Sequence, residues 1–417
     1  MPFGSPKTNN SKLNILKMPI NISSVSHLLF AILFVWIAFI SVLPISVAGI
    51  QLFAIYFTGA SVLFVITCLI EGIKKTRVAV ITFTLIVAFC TLASIAKDWS
   101  LFDSVYGILL YALPIFLIFL PSLIELSLER ICFFIQLMTI AASLVSLLVV
   151  LGFIDSGIDG YNITIMRVDN TIGLIGLAVS FYLLNVKKSN KIFAWITVAL
   201  SLFIIITGQS RARMVYAALI IAAFTVYMIF FAKKSRIKNA VVLICAAVVT
   251  FLFFSAYSTA LQNYLSFVVD KFGELGEDIS TTYRQDEMRI HLQLFNDNFW
   301  FGIGSGALNN EYTTSLGETI YGHNMITGAF AFEGIFYGLA LVCVLIYALA
   351  RSIYRLIKTR TPSAMLCATM MVLLITLSIT SGGFSKLGTH AGALVVGVIL
   401  STMPAKEVAD EDAEEKE

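Results

Sequence analysis

Four stretches of this chain hold residue types suited to work on an anionic group. Arg167 lies in Met166-Arg167-Val168-Asp169-Asn170, and Arg211 and Arg213 lie in Gly208-Gln209-Ser210-Arg211-Ala212-Arg213. Arg284 follows Thr282-Tyr283, and His323 stands in Tyr321-Gly322-His323-Asn324, ten residues before Glu333. A guanidinium forks onto phosphate or carboxylate through two parallel hydrogen bonds, which an ammonium cannot do. A lone histidine is more often structural than catalytic. The balance shifts if it shares one face of the molecule with a group of arginines, so the elements that place these residues decide their chemistry.

Composition settles the medium. Of the 417 residues, 59% are hydrophobic and 13% charged, and the mean hydropathy is +0.91. Soluble domains run near half apolar and a quarter charged. This chain must place most of its surface in lipid, which excludes soluble enzymes, disulfide scaffolds, disordered proteins and nucleic-acid binders. The six cysteines (Cys68, Cys90, Cys132, Cys245, Cys343, Cys367) lie inside apolar runs without metal-ligand spacing, and read as small hydrophobes in helix packing.

A spanning helix needs about 20 mostly apolar residues. Apolar runs predict about twelve: 27–43, 51–71, 78–96, 106–124, 131–153, 171–186, 192–207, 214–232, 240–258, 325–350, 364–380 and 389–403. The fold class is an all-α polytopic membrane protein. An N-terminal arm (1–26) precedes transmembrane helices 1–9 (27–258). A large loop (259–324), transmembrane helices 10–12 (325–403) and an acidic tail (404–417) follow. The first span reads as an uncleaved anchor, and the tail as a solvated end.

Charge sets the orientation. With the N-terminus in the cytoplasm, twenty of the 28 lysines and arginines fall on the cytoplasmic side, including Lys74-Lys75-Thr76-Arg77 and Arg351, Arg355, Lys358 and Arg360. That satisfies the positive-inside rule, with both termini inside. Lys97, Arg167, Arg211, Arg213, Lys271, Arg284, Arg289 and Lys386 remain outside. Five of those eight are arginine, against six of the twenty inside. Topology needs only point charges, so the outer arginines ask for another reason. Charges near hydrocarbon are costly and functional by default. The alternatives are snorkelling to headgroups or pairing with Asp155, Asp159 or Asp169.

The long loop has a helical middle. Thr282 and Gln285 have capping-box spacing, and Met288, Leu292 and Phe295 recur as an apolar stripe. Arg284 falls one turn earlier on that stripe, where a buried arginine would need an anionic partner. Arg289 points elsewhere, toward solvent, and His291 reads as a packing or solvated residue. Phe299-Trp300-Phe301-Gly302-Ile303-Gly304-Ser305-Gly306 reads as a tight, aromatic-anchored turn at the membrane surface rather than a dinucleotide fingerprint. Glu333 reads either as a packing residue or as support for His323.

These residues resemble, in order, the motifs of the O-antigen ligase and O-antigen polymerase superfamily of bacterial envelope polysaccharide enzymes. The matches are Arg167 before a sixth-span-like helix, the turn Thr207-Gly208-Gln209-Ser210-Arg211, Arg284 with Phe299 and Gly302-Ile303-Gly304, and His323-Asn324 with Glu333-Gly334. They cover roughly 160–345. The family commonly has Thr-Gly-Arg or Ser-x-Arg where this chain has Thr282-Tyr283-Arg284, and often proline where Phe299 stands.

The resemblance implies a metal-independent glycosyltransferase without a cofactor. It would take a glycan from an undecaprenyl-pyrophosphate carrier and pass it to an acceptor hydroxyl. The acceptor would be lipid A–core in a ligase, or a second carrier-linked glycan in a polymerase. The expected roles are pyrophosphate binding for Arg167, Arg211 and Arg284, general base for His323, and support from Arg213, Asn324 and Glu333. The expected location is the bacterial inner membrane with the site facing the periplasm. A lipid-linked oligosaccharide transporter is the rival of another class. It fits less well, because transporters place charges near the midplane within paired halves.

Overall fold

The computed structural model describes residues 46–47, 50–51, 78–119, 121, 127–151, 170–186, 189–208, 210–231, 279–309, 324–380 and 387–401. Apart from a two-rung antiparallel pairing of Ser46–Val47 with Ile50–Gln51, the regular elements among them are helical. They are α1 (Val78–Ile95), α2 (Leu101–Phe119), α3 (Leu128–Val150), α4 (Asn170–Asn185), α5 (Lys191–Thr207), α6 (Arg211–Phe231), α7 (Ile279–Asp297), α8 (Met325–Thr359), α9 (Pro362–Thr380) and α10 (Leu387–Ser401), with a 3-10 turn at Ser305–Asn309. The expected spans at 27–43 and 240–258, and nearly all of 51–71, lie outside the described residues.

Five described helices are long and apolar enough to cross a membrane: α2, α3, α6, α8 and α9. The rest are shorter apolar helices, except the polar α7. The described residues are therefore those of a predominantly helical membrane protein.

The core forms around two helices that are buried on nearly every side. Nearly all of α4 and of α10 from Gly388 is buried, and α2, α3, α5, α6, α8 and α9 pack around them. In lipid, close helix approach rests on small residues and interhelical hydrogen bonds more than on hydrophobicity. Gly176 of α4 lets Thr139 and Ser201 come within contact distance of its backbone. Thr197 of α5 is the hub there, bonded to Ser180 at 2.7 Å and to Gln136 at 3.2 Å. Two tyrosines of α6 fix it to the α8–α9 hairpin: Tyr216 to Thr380 at 2.7 Å, and Tyr227 to the Arg360 carbonyl at 2.9 Å.

Two boundaries correct the sequence reading. First, α6 begins at Arg211, so Arg211 and Arg213 ride its opening turn instead of lying in the link. Second, α8 continues nine residues past the expected end, to Thr359. Arg351, Arg355 and Lys358 are thus helical, not loop residues. Arg351 donates to the Tyr347 hydroxyl at 2.8 Å, Lys358 lies 5.7 Å from the Tyr354 ring centroid, and buried Arg355 donates to the Ile399 carbonyl in the last turn of α10. Such pairs one turn apart keep a helix going after its apolar run ends. Arg360 then closes it in the left-handed conformation, with φ 55°.

Cys90, Cys132 and Cys367 are buried, in line with helix packing. Cys343 instead lies on the surface of α8.

Candidate functional site

The loop helix α7 docks on α8 with the face opposite to the expected one. Met288 and Leu292 are 41% and 50% exposed, whereas Glu287 and His291 are fully buried. Phe295 lies between the two faces and packs on Phe299 and Phe330, with ring centroids 5.1 and 5.3 Å away. Arg284 is exposed, so it is not a buried arginine in need of an internal partner. Its guanidinium is presented to whatever approaches α7 from outside. Arg289 is exposed too and pairs with Asp286 at 3.6 Å. The helix starts at Ile279, a turn before Thr282, so Thr282 does not cap it.

The glycine-rich turn after α7 is an internal wedge. Residues 302–307 are buried, and the turn lies in a break of α8. At Gly334 the backbone turns to φ 76°, ψ −169°, a conformation essentially confined to glycine. In a regular helix the Ala331 carbonyl would take the Ile335 amide. Here Ile303 N donates to Ala331 O at 3.0 Å, Gly304 N to Phe332 O at 2.9 Å, and Ile335 N to Phe299 O at 3.0 Å. The polar groups freed by the kink are thus satisfied by the turn, as a buried backbone requires. This agrees with the plain-turn reading of the glycines and moves the turn from the surface to the interior.

The α1–α2 link clamps the wedge from the other side. Lys97 Nζ donates to the Gly302 carbonyl, Trp99 Nε1 to Ile303 O at 2.9 Å, and Ser305 Oγ to Ser104 O at 2.8 Å. Ser94 Oγ accepts from Gly306 N at 3.2 Å and bonds to Ser104 Oγ at 2.9 Å. Partial burial holds the Lys97 ammonium below its ordinary pKa. Of the outer cations expected from sequence, Lys97 is therefore a structural bracket.

Glu333 sits beside this bracket, 1% exposed. Neither carboxyl oxygen meets a hydrogen-bond partner of good geometry among the described residues. The Ser305 hydroxyl lies next to it but is directed to Ser104 O. Asn324 is the N-cap of α8, its Oδ1 accepting from Thr327 N at 3.2 Å. That oxygen is committed to the helix end, so Asn324 serves to cap α8.

Arg211 opens α6 and Arg213, half-buried, follows on the same turn. That helix packs against α4, α5 and α9, whereas α7 packs on α8. Arg284 and the α6 arginines therefore ride on helices with different main neighbours. Arg167 and His323 lie outside the described residues. Sequence reasoning missed the buried Glu287–His291 face and the Ser94, Trp99 and Ser104 clamp. The spacing Gly302-Ile303-Gly304 with Glu333-Gly334 was the available signal, since a glycine in each partner marks a close backbone approach.

An aromatic ladder lines the seam. Trp300 stacks on Phe336 at 5.8 Å, Phe301 lies 5.9 Å from Phe336, and Phe89 meets Phe301 edge-on at 5.4 Å.

Fold and site together define a polytopic helical membrane protein whose polar loop helix is keyed into a broken membrane helix. Residues 196–342, from α5 into α8, match the family model described as O-antigen ligase, Wzy_C. Over that stretch the chain is similar to the O-antigen ligase family. No curated protein matches the chain.

Proposed function

We propose that the protein is a membrane glycosyltransferase that moves a glycan from undecaprenyl pyrophosphate to an acceptor hydroxyl at the periplasmic face of the inner membrane. The acceptor we assign is lipid A–core, making the protein an O-antigen ligase of lipopolysaccharide biosynthesis. One observation carries this reading: the family match at 196–342 runs through Arg211, Arg284, His323 and Glu333, the stretch where the chemistry-bearing residues lie.

In the proposed reaction the acceptor oxygen attacks the anomeric carbon of the donor. The bond from that carbon to the pyrophosphate oxygen breaks, and carrier pyrophosphate leaves with the electron pair. His323 takes the hydroxyl proton, a role worth about 10²–10⁴-fold. Arg167, Arg211 and Arg284 fork onto the pyrophosphate and stabilise the charge that grows on it, the work a divalent cation does in other transferases. The exposure of Arg284 supports this, since it presents a guanidinium to a bulky lipid-linked anion, and Arg211 stands at the opening of α6.

Purified protein in lipid, offered the carrier-linked glycan with EDTA present, tests the reading. Product on lipid A–core supports a metal-independent ligase. A ladder of longer carrier-linked chains would make it a polymerase with the same residue roles. Movement of the carrier lipid across vesicles without transfer would make it a transporter.

A further inference from the structure

His291 was expected to pack or to face solvent. It is fully buried, and its bonding reaches Asn324, the N-cap of α8. Its Nδ1 lies 3.0 Å from Thr327 Oγ1, and its ring meets Phe332 edge-on at 5.5 Å. Thr327 is the third residue of α8. Its amide donates to Asn324 Oδ1 at 3.2 Å, and its hydroxyl donates to the Asn324 carbonyl at 3.3 Å. A hydroxyl has one proton and two lone pairs. With that proton on Asn324, the oxygen accepts from His291, which sets the imidazole as the Nδ1–H tautomer. Space for the ring comes from Gly328: a Cβ there would lie 3.6 Å from His291 Cε1 and 3.0 Å from the Tyr111 hydroxyl.

The chain of bonds therefore runs from the loop helix to the N-cap of α8, from His291 through Thr327 to Asn324. Arg284 rides the loop helix two turns before His291, and His323 precedes Asn324 in sequence. We propose that His291 is a positioning residue: through Thr327 it fixes Asn324, the N-cap of α8 and the residue that follows His323 in sequence, relative to the helix that carries Arg284. It touches no substrate. The inference rests on the transferase reading above and concerns how the start of α8 is held in register with α7. Small displacements of a catalytic group cost turnover steeply.

Steady-state transfer kinetics on the reconstituted full chain test it, with His291→Ala, His291→Asn, Thr327→Val and the double variant His291→Ala/Thr327→Val. Losing this buried bond is expected to lower kcat about tenfold to a hundredfold in His291→Ala and in Thr327→Val. The donor KM should hold, because the arginines bind the pyrophosphate. His291→Asn, which returns an N–H near Nδ1, should recover most of the rate. The double variant should be no slower than the slower single one, since both remove the same link. Full kcat in either single variant, an Asn variant as slow as Ala, or multiplying effects would overturn the proposal.

A second readout does not need turnover. ¹⁵N spectra of histidine-labelled protein, with the His291 signal assigned by its loss in His291→Asn, should show the Nδ1–H tautomer in the wild type and a changed signal in Thr327→Val. An unchanged signal overturns the link even if the wild type transfers nothing. Wild-type inactivity with a changed signal sinks the transferase reading and leaves the bond standing.

Discussion

The amide of Ile335 donates to the carbonyl of Phe299 at 3.0 Å, taking from the loop the partner that an unbroken α8 would supply from Ala331. Loop and helix exchange backbone bonds around Gly334, so neither reaches its final geometry alone.

Glycine at both sides of this exchange is therefore required. Gly334 has φ 76°, and a Cβ there would lie 2.5 Å from Phe301 N; Gly302 has φ 58°, and its Cβ would lie 2.5 Å from Glu333 N. Strained backbone of this kind costs about 1–3 kcal/mol per residue, before the clash is added. Gly334→Ala and Gly302→Ala should each lower the melting temperature in detergent. The double variant should fall short of the sum, because both push apart one contact. Additive losses would mean that the two glycines serve separate contacts.

The arginine roles predict a split between exposed cations of one helix. Arg284→Ala should slow transfer roughly 10- to 150-fold, the value of one charge-assisted hydrogen bond. Arg284→Lys should stay well below wild type, because an ammonium cannot fork onto the anion. Arg289→Ala, exposed and paired with Asp286, should stay near wild type. Arg211→Ala should behave as Arg284→Ala does. Equal rates for the Arg284 and Arg289 variants would remove Arg284 from the site.

Glu333 fills a closed space beside Ser305. Glu333→Gln keeps that volume and should melt at or above the wild type. Glu333→Ala leaves a void and should cost about 2–5 kcal/mol, as other large-to-small core changes do. A Gln variant as unstable as the Ala variant would show that the carboxyl has a bonding partner that the amide cannot serve.

The aromatic ladder makes a spectroscopic prediction. Trp300 is 60% exposed and stacked on Phe336, the amphipathic arrangement that suits a membrane interface. Brominated lipids should quench tryptophan fluorescence in reconstituted protein, and Trp300→Phe should remove a large part of the quenched signal. Trp99→Phe, which removes the partner of Ile303 O, should remove less. Equal effects would take Trp300 away from lipid.

Apolar length made most of the described helices legible. Three of their ends moved far: both ends of α2, each five residues earlier than expected at Leu101 and Phe119, and the end of α8 at Thr359. The orientation of α7 was not legible. Met288 and Leu292 mark the buried side only where the alternative is water. Next to a bilayer an apolar face gains by turning outward, while Glu287 and His291 find polar company inside. The order of the chemistry-bearing residues was readable, and the family match falls on it. Their spatial grouping was not, since the wedge at Gly334 depends on backbone bonds that leave no side-chain pattern beyond the glycines themselves.

The break in α8 also bears on how the protein tolerates different membranes. Thirty-five residues make a rod of about 52 Å, far longer than a hydrocarbon slab of about 30 Å. An unbroken rod would answer hydrophobic mismatch by tilting along its whole length, swinging its first turn with it. With a joint at Gly334, the segment 335–359 can take up the tilt. The segment 325–333 stays in register with the loop turn that grips Ala331 and Phe332, so bilayer thickness is decoupled from the geometry of the turn at Asn324.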